Sequence, residues 1–517
     1  MPNPVSPSAP ARPRELPLGV YLDALASAGV LSSCRADGAF DRALPIAFAT
    51  DDSRQVVPGT LFACKGAAFK PEYLRSAVAQ GAVAYVSAVD YGPQVAGDTP
   101  CLLVSDIRVA LAVLADTAYG HPSGEVRVCA FTGTKGKTTS AYYLRSILAK
   151  HAERAGAHAP ALLTGVEYDD GIERGESLLT TPESFTLERR IANAHRAGCE
   201  HLVMEASSQA MKFRRTLGVE FTVGAFTNFG EDHISPIEHP TLEDYLQSKL
   251  LLFQNCRTAV VNLDMDVAPR VLEAARRCDC VLTYSEKAAE ADVFLERYGY
   301  EDAGIRAWIR TPRFTRELLV PTPATFNLSN ALAAITVAEA LGIAAEDMAS
   351  GLASVHVPGR MEVYPSASGR IVGVVDYAHN GMSLQTLLTD LRKRYPGREI
   401  AVAFGATGGK GVDRRETMGE AAGKLADRIV ITEDDPGPED PSVIADAISK
   451  AVSAQGNDNW QIVIDRPEAI RTLVRETAGE AVVVVAGKGN DPFMLRHGVR
   501  EPYEPDGDQL ARLIRDL

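Results

Sequence analysis

The residues best suited to chemistry stand in one run, Thr132-Gly133-Thr134-Lys135-Gly136-Lys137-Thr138-Thr139. Its glycines let backbone N–H groups approach phosphate oxygens, and the helical pattern after it adds the positive end of a helix dipole. Lys137 is placed to reach β- and γ-phosphates, and the Thr138 hydroxyl to bind Mg²⁺. The spacing departs from the common P-loop, because Phe131 holds the first glycine position. A bare Gly-Lys-Thr says little, but between an apolar strand and a helix it points to nucleotide binding.

Other candidates are weaker one by one. Glu205 ends the run His-Leu-Val-Met-Glu, where a carboxylate can bind Mg²⁺ or simply cap a helix. His233 in Asn-Phe-Gly-Glu-Asp-His is a metal ligand, a base or a satisfied histidine. Lys249 falls in an amphipathic helical pattern, where a solvated lysine is the default. Asp376 and His379, and the glycine-rich stretches 405–411 and 487–491, each follow an apolar run.

The elements that must position these groups follow from hydrophobic patterning. Residues 126–131 form a strand that delivers the phosphate loop, and runs at 201–205, 221–228 and 259–264 end in polar clusters. Strands of an open parallel sheet end this way where ligands gather. Upstream, strands at 60–64, 83–86 and 101–104 and a helix near 109–119 make a small α/β unit, closed by a Pro- and Gly-containing linker at 121–124. Beyond Val357-Pro358-Gly359, strands at 371–377, 399–404, 428–432, 461–464 and 481–486 alternate with helical patterns, which predicts a Rossmann-like parallel sheet. The expected architecture is α/β in three domains: a disordered tail over 1–15, a small α/β domain over 16–120, a P-loop ATPase-like domain over 121–356 and a Rossmann-like domain over 357–517.

Bulk properties bound the function. A chain of 517 residues exceeds one core. A net charge of −14 argues against a general nucleic-acid surface, although local N–H groups and lysines still suffice for a nucleotide. No apolar run reaches the roughly 20 residues of a membrane span, and the Pro/Ala-rich start lacks the apolar stretch of a secretory signal. A cytoplasmic monomer without membrane or nucleic-acid partners is expected. The eight cysteines are scattered, and Cys278 and Cys280 have no nearby histidine to complete a zinc site.

Together the motifs resemble the Mur ligase family. Gly-Thr-Lys-Gly-Lys-Thr-Thr, TTPES (180–184), MEASSQAM (204–211), TNFGEDH (227–233), DYLQSK (244–249), FNLSNALAA (326–334), VPGRME (357–362), DYAHN (376–380) and GKGND (487–491) occur in that family's order. DDSRQVVPGTLFACKG (51–66) resembles the uridine-nucleotide-binding domain of the MurE type. The resemblance implies UDP-sugar, ATPase and amino-acid domains. It implies that the D-Glu carboxylate of UDP-N-acetylmuramoyl-L-Ala-D-Glu (the UDP-dipeptide) takes the γ-phosphate of ATP, and that an amino acid then displaces phosphate from the acyl phosphate. It implies Mg²⁺ as cofactor, held through Thr138, Glu205, His233 and a carbamylated Lys249. Lys137, Lys249 and His233 become the catalytic set. Gly133, Thr134, Lys135, Gly136, Lys137, Thr138, Thr139, Asn327, Asn330, Arg360 and Asp376 are implied around ATP. Thr180, Thr181, Ser207 and Arg215 are implied around the muramoyl-peptide, and Ser53 and Arg54 near uridine. Two departures stand out: Phe213 replaces a glutamine of some relatives, and Thr325 precedes Phe-Asn where glycine is common.

The chain is most similar to the lysine-adding subgroup. Diaminopimelate-adding relatives carry Asp-Asn-Pro-Arg, whose arginine can clasp the distal carboxylate; here the stretch is Asp434-Asp435-Pro436-Gly437. Asp434, Asp435, Glu439 and Asp491 are candidates to read an ammonium, Lys410 to bind the α-carboxylate, and Pro436, Gly437 and Gly487 to shape the site. L-Lysine is therefore the expected substrate, with L-ornithine, meso-diaminopimelate or a specialised ligation outside wall synthesis as alternatives. A folylpolyglutamate synthase has no use for a UDP-sugar domain, a P-loop kinase leaves Lys249 and the third domain unexplained, and an inactive ATP-binding regulator would not need the intact lysine and metal positions.

Overall fold

The computed structural model describes residues 9–35, 41–66, 69–231, 234–235, 238–409, 411–477 and 479–517. The fold is α/β, and its contacts divide it into two units. The first holds the chain up to Leu295 together with 310–315 and 332–351; the second holds 296–309, 316–331 and 352–517.

The first unit contains two main sheets, besides the two-stranded pair of Leu16–Pro17 with Pro45–Ile46. A five-stranded sheet includes Phe48–Thr50, Thr60–Ala63, Ala82–Ser87 and Cys101–Val104. The helix Ile107–Tyr119 covers it, starting two residues before the expected one because Asp106 accepts hydrogen bonds from the N–H groups of Arg108 and Val109. Gly120, at φ 71°, ends that helix in the left-handed conformation.

The larger sheet is built around Arg127–Thr132. His201–Glu205 pairs parallel on one side and Phe221–Phe226 on the other, with Glu205 opposite Phe131 and Phe226 opposite Thr132. The chain therefore leaves the central strand with neighbours on both sides, which opens a crevice at the strand's carboxyl end. Cys256–Asn262 and Cys280–Ser285 continue the sheet.

The second unit carries a six-stranded sheet in which Ala481–Ala486 lies between Ile371–Asp376 and Glu399–Phe404, all parallel. Every residue of Ala481–Ala486 is buried, as a parallel strand covered on both faces requires. Arg428–Ile431 and Trp460–Ile462 extend the sheet. The expected strands at 461–464 and 221–228 are thus shorter at their carboxyl ends, where the chain turns into loops.

Two features depart from the sequence reading. Strands Val293–Glu301, Gly304–Arg310 and Thr315–Val320 lie within the segment taken as the central domain, and the boundary between the units runs through them. The tail expected over 1–15 is also corrected: Ala11 is buried and its N–H donates to Asn193 Oδ1 at 2.6 Å, while the Arg14 N–H donates to the Ala118 carbonyl. A Pro/Ala run has no periodicity that would reveal such docking. Residues 1–8 lie outside the described residues.

Candidate active site

In the first unit the phosphate loop turns through Gly133 (φ 152°) and Gly136 (φ 79°) into the helix Lys137–Ala155. The neighbouring strand end holds it from outside. Thr134 N–H donates to the Asn228 carbonyl, Lys135 N–H to Asn228 Oδ1 at 2.8 Å, and Asn228 Nδ2 returns a bond to the Lys135 carbonyl. Lys137 Nζ lies 2.9 Å from the Gly133 carbonyl, so the ammonium sits over the loop. Thr139 is buried in the first turn.

Glu205 is only 2% exposed and does not cap a helix. Its Oε1 accepts from Thr138 Oγ1 at 2.9 Å and from the Gly165 N–H at 2.9 Å. The nearby cap is Ser207, whose Oγ accepts from the Ala210 N–H. Thr181 Oγ1 donates to the Glu205 carbonyl at 2.9 Å and accepts from the Ser207 N–H at 3.0 Å. Thr180 lies against Gly165, where an added Cβ would stand 3.2 Å from its hydroxyl. Thr138, Thr181 and Ser207 therefore meet around Glu205 at one strand end.

Lys249 is not on a solvated face. It is 1% exposed, donates to the Gly133 carbonyl at 2.8 Å and lies 4.4 Å from the Tyr245 ring centre. Tyr245 OH reaches Thr134 Oγ1 at 3.4 Å. His233 lies outside the described residues. Among those residues no group of three or more His, Cys, Asp or Glu could hold a metal. Thr138 and Glu205 nevertheless offer the hard oxygen donors that Mg²⁺ takes in ones and twos, alongside substrate phosphates and water.

Sequence reasoning missed a cluster beside this site. His239, 1% exposed, places Nδ1 2.6 Å from Asp244 Oδ2 and Nε2 2.9 Å from Ser208 Oγ; Lys212 pairs with the same Asp244 oxygen. Burial holds the His239 pKa below its ordinary value against the pull of Asp244. The cluster ties the short helix Ser208–Lys212 to the helix Leu242–Leu250 that carries Lys249. The only hint in the sequence is His239 within the run His-Ile-Ser-Pro-Ile-Glu-His-Pro at 233–240.

A cavity of about 1230 Å³ lies between the two sheets of this unit, lined among others by Phe69, Tyr73, Lys65, Tyr168, Arg189 and Glu183. Ser53 and Arg54 are on its wall. Arg54 is turned out and paired with Asp52. Arg215 pairs with Glu183 at 2.7 Å. Phe213 packs under the Arg108 guanidinium, 4.0 Å from its ring centre, so that position is filled by stacking.

In the second unit Asp376 ends its strand buried. Its Oδ2 accepts the Met361 N–H at 2.9 Å, and burial raises its pKa against the neighbouring Arg360. Arg360 stacks on Tyr377. Asn327 and Asn330 are buried and bonded to each other at 2.8 Å. Thr325, the departure beside them, donates its hydroxyl to Asp390 at 2.8 Å, which also accepts the Phe326 N–H. A hydroxyl here fastens the start of the helix Phe326–Ala340.

The four acids near the expected amino-acid site are not equivalent. Asp434 is 3% exposed, and burial pushes its carboxyl up to about 7 although Arg466 and Lys488 pull it down. Gly487 is required beside it, because a Cβ there would meet Asp434 Oδ2 at 2.3 Å. Asp435 is paired with buried Lys488 at 2.8 Å, and Asp491 lies 3.8 Å from the same ammonium. Glu439 pairs with Arg415 at 2.6 Å. Pro436 and Gly437 line a cavity of about 280 Å³ with Glu433, Asp465 and Arg496. Arg466 is a residue that sequence reasoning missed, and Lys488, although inside the candidate stretch 487–491, was not singled out there. Lys410 lies outside the described residues.

Comparisons with known proteins place the chain in a family. The Mur ligase middle domain matches residues 131–338, and the Mur ligase glutamate ligase domain matches 359–489. UDP-N-acetylmuramoyl-L-alanyl-D-glutamate--L-lysine ligase of Streptococcus thermophilus is 38% identical over 88% of this chain and 90% of its own length. UDP-N-acetylmuramyl-tripeptide synthetase of Ligilactobacillus salivarius is 37% identical over 90% of this chain and 94% of its own. Among solved structures, a UDP-N-acetylmuramoyl-L-alanyl-D-glutamate--2,6-diaminopimelate ligase superimposes with a TM-score of 0.66 at 25% identity, covering 93% of this chain and 96% of that one. The chain belongs to the Mur ligase family.

Proposed function

We propose that the protein is an ATP-dependent ligase that joins L-lysine to UDP-N-acetylmuramoyl-L-Ala-D-Glu, a step of peptidoglycan precursor synthesis. The observation that carries the reading is the meeting of three segments at one strand end. The phosphate loop, the Thr181–Ser207 pair and Lys249 all reach Glu205 or the Gly133 carbonyl within hydrogen-bonding distance. The relatives named as lysine ligases supply the substrate identities.

The residues fit the chemistry. A carboxylate is a poor electrophile, and phosphorylation gives it a leaving group. Lys137 swings from the Gly133 carbonyl onto the γ-phosphate and offsets the charge that grows there. Thr181, Ser207 and Arg215 orient the peptide carboxylate. Bound Mg²⁺, held by Thr138, Glu205, His233 and Lys249 as a carbamate, would neutralise crowded phosphate oxygens. The lysine α-amine then attacks the acyl carbon, phosphate departs, and the amine loses its proton. In the second unit, Asp376, Arg360 and the Asn327–Asn330 pair are assigned to ATP. Lys410 and the acids around Lys488 are assigned to the amino acid, with Gly437 lacking the side chain that would clasp a second carboxylate. The domain roles follow: UDP-sugar binding over 16–120, ATP over 121–356 and amino acid over 357–517.

The test is ADP release with and without the UDP-dipeptide, in the presence of ATP, Mg²⁺ and L-lysine. Release is expected only with all components. Release independent of the UDP-dipeptide, or none at all, would overturn the reading.

A further inference from the structure

A chain of charges crosses the wall of the large cavity, and the roles implied by the motifs at 51–66 and 180–184 include neither Lys65 nor Glu183. Glu183 occupies the cap position of the helix Ser184–Ala197 without capping it. Its carboxylate instead bridges two cations: Lys65 Nζ stands 3.0 Å from Oε2, and Arg215 Nη2 stands 2.7 Å from Oε1. Lys65 follows the strand Thr60–Ala63 of the small sheet and also lies 3.0 Å from Asp51 Oδ2. Asp51, Lys65 and Glu183 all line the cavity. Arg215 donates a further N–H to the Thr181 carbonyl at 3.4 Å, and Thr181 is bonded in turn to Ser207 and the Glu205 carbonyl.

Two observations argue for more than scaffolding. The Arg215 Nε is buried and has no hydrogen-bond partner among the described residues. A buried, unspent guanidinium N–H is costly unless a ligand takes it. Lys65, although burial opposes its charge, is held as an ammonium by Asp51 and Glu183, and it faces the cavity, whereas Arg215 lies behind Glu183 on the side of Thr181. Both cations are positioned to receive an anion, and one carboxylate sets their separation.

We propose that Glu183 is a positioning residue for the anionic UDP-dipeptide: by bridging Lys65 and Arg215 it aligns the nucleotide end of the cavity with the peptide end beside Thr181 and Ser207. The inference rests on the function proposed above. Without the bridge, two cations repel across the gap, Arg215 is released from one side, and a ligand must order both by itself. The effect belongs to binding of this one substrate. The residues assigned above to ATP and to lysine do not include Lys65 or Glu183.

The experiment compares Glu183→Gln, Glu183→Asp, Lys65→Met and the Glu183→Gln/Lys65→Met double variant in steady-state kinetics. Glu183→Gln should raise KM for the UDP-dipeptide about tenfold, the size of a coupling between contacting charges, and leave KM for ATP within about twofold. Glu183→Asp, which reaches one cation, should restore part of the loss. The double variant should be no worse than the worse single one. A melting curve checks that each variant folds; should Glu183→Gln fail to fold, Glu183→Asp and Lys65→Met carry the same comparison. A folded Glu183→Gln with unchanged KM for the UDP-dipeptide, or losses that multiply in the double variant, would overturn the inference. ADP release by the unmodified protein serves as control: its absence overturns the function, whereas its presence with an unchanged variant overturns only the role of Glu183.

Discussion

Gly133→Ala tests the phosphate loop at its tightest point. Gly133 has φ 152°, and an added Cβ would stand 2.1 Å from Thr227 Oγ1 and 3.1 Å from the main-chain N and O of Asn228. Ordinary contact begins at 3.4 Å, so the gap must open by about 1.3 Å. Thr227 cannot yield easily, since its hydroxyl lies 3.0 Å from the Lys135 carbonyl and 3.2 Å from that of Thr132. The Gly133 carbonyl anchors both Lys137 and Lys249, and moving it displaces both ammonium groups. Misplacement by about 1 Å at a reacting centre costs on the order of 10²-fold, and strained backbone costs about 1–3 kcal/mol of stability. The expected result is kcat/KM for ATP lowered by about 10²-fold in an ADP-release assay, with a folded protein by circular dichroism. Gly230→Ala, where a Cβ meets nothing within 4 Å, is the control and should stay within about twofold. Near-normal turnover by Gly133→Ala, or equal damage from Gly230→Ala, would refute the argument.

Three further outcomes are expected. Lys249→Ala should lose about 10²-fold or more in kcat, with partial recovery in added acetate or formate if the residue works as a carbamate; no recovery, together with an unmodified Lys249 mass in active protein, would remove that role. Asp434→Asn should gain melting temperature relative to the unmodified protein as pH rises. The folded carboxyl holds its proton up to about 7 while the unfolded one releases it near 4, so the folded state loses stability through that window and the amide does not; the gain should vanish below pH 4, and a gain that shrinks as pH rises would show the sign to be wrong. Arg466→Met removes the buried partner of Asp506, bonded at 2.7 Å and 3.0 Å, and should cost about 3–5 kcal/mol in urea unfolding; a loss under about 1 kcal/mol would mean that the pair is incidental.

Much of the fold could be read from patterning because its strands are parallel and buried. The Ala-Val-Val-Val-Val-Ala run, the glycine turn after Thr132 and the polar ends of 201–205 and 371–376 each carry a local signature. The strands at 293–320 escaped because charged residues interrupt them: in Val293–Glu301 only Val293 and Leu295 are buried. Candidate residues could be picked out when one motif held both the side chain and its strand end, as with Lys137 and Glu205. Lys249 shows the limit. Helical spacing cannot tell a solvated lysine from one 1% exposed beneath a loop that lies 116 residues earlier in the chain. Glu183, His239, Lys488 and Arg466 act through partners far away in sequence, and spacing carries no trace of such pairings. The acids at 434 and 435 looked alike in sequence, but burial raises the Asp434 carboxyl to about 7 whereas Asp435 is paired with Lys488.

The most direct test of the central claim is a comparison of kcat/KM for L-lysine, L-ornithine and meso-diaminopimelate, with ATP and UDP-N-acetylmuramoyl-L-Ala-D-Glu saturating and the product identified by mass. The account predicts a UDP-tripeptide carrying lysine, with L-lysine preferred over meso-diaminopimelate by about 10²-fold or more because Gly437 offers no clasp for a second carboxylate, and over L-ornithine by the smaller factor of about 10–200 that one methylene allows. A preference for meso-diaminopimelate, or a product without lysine, would contradict it.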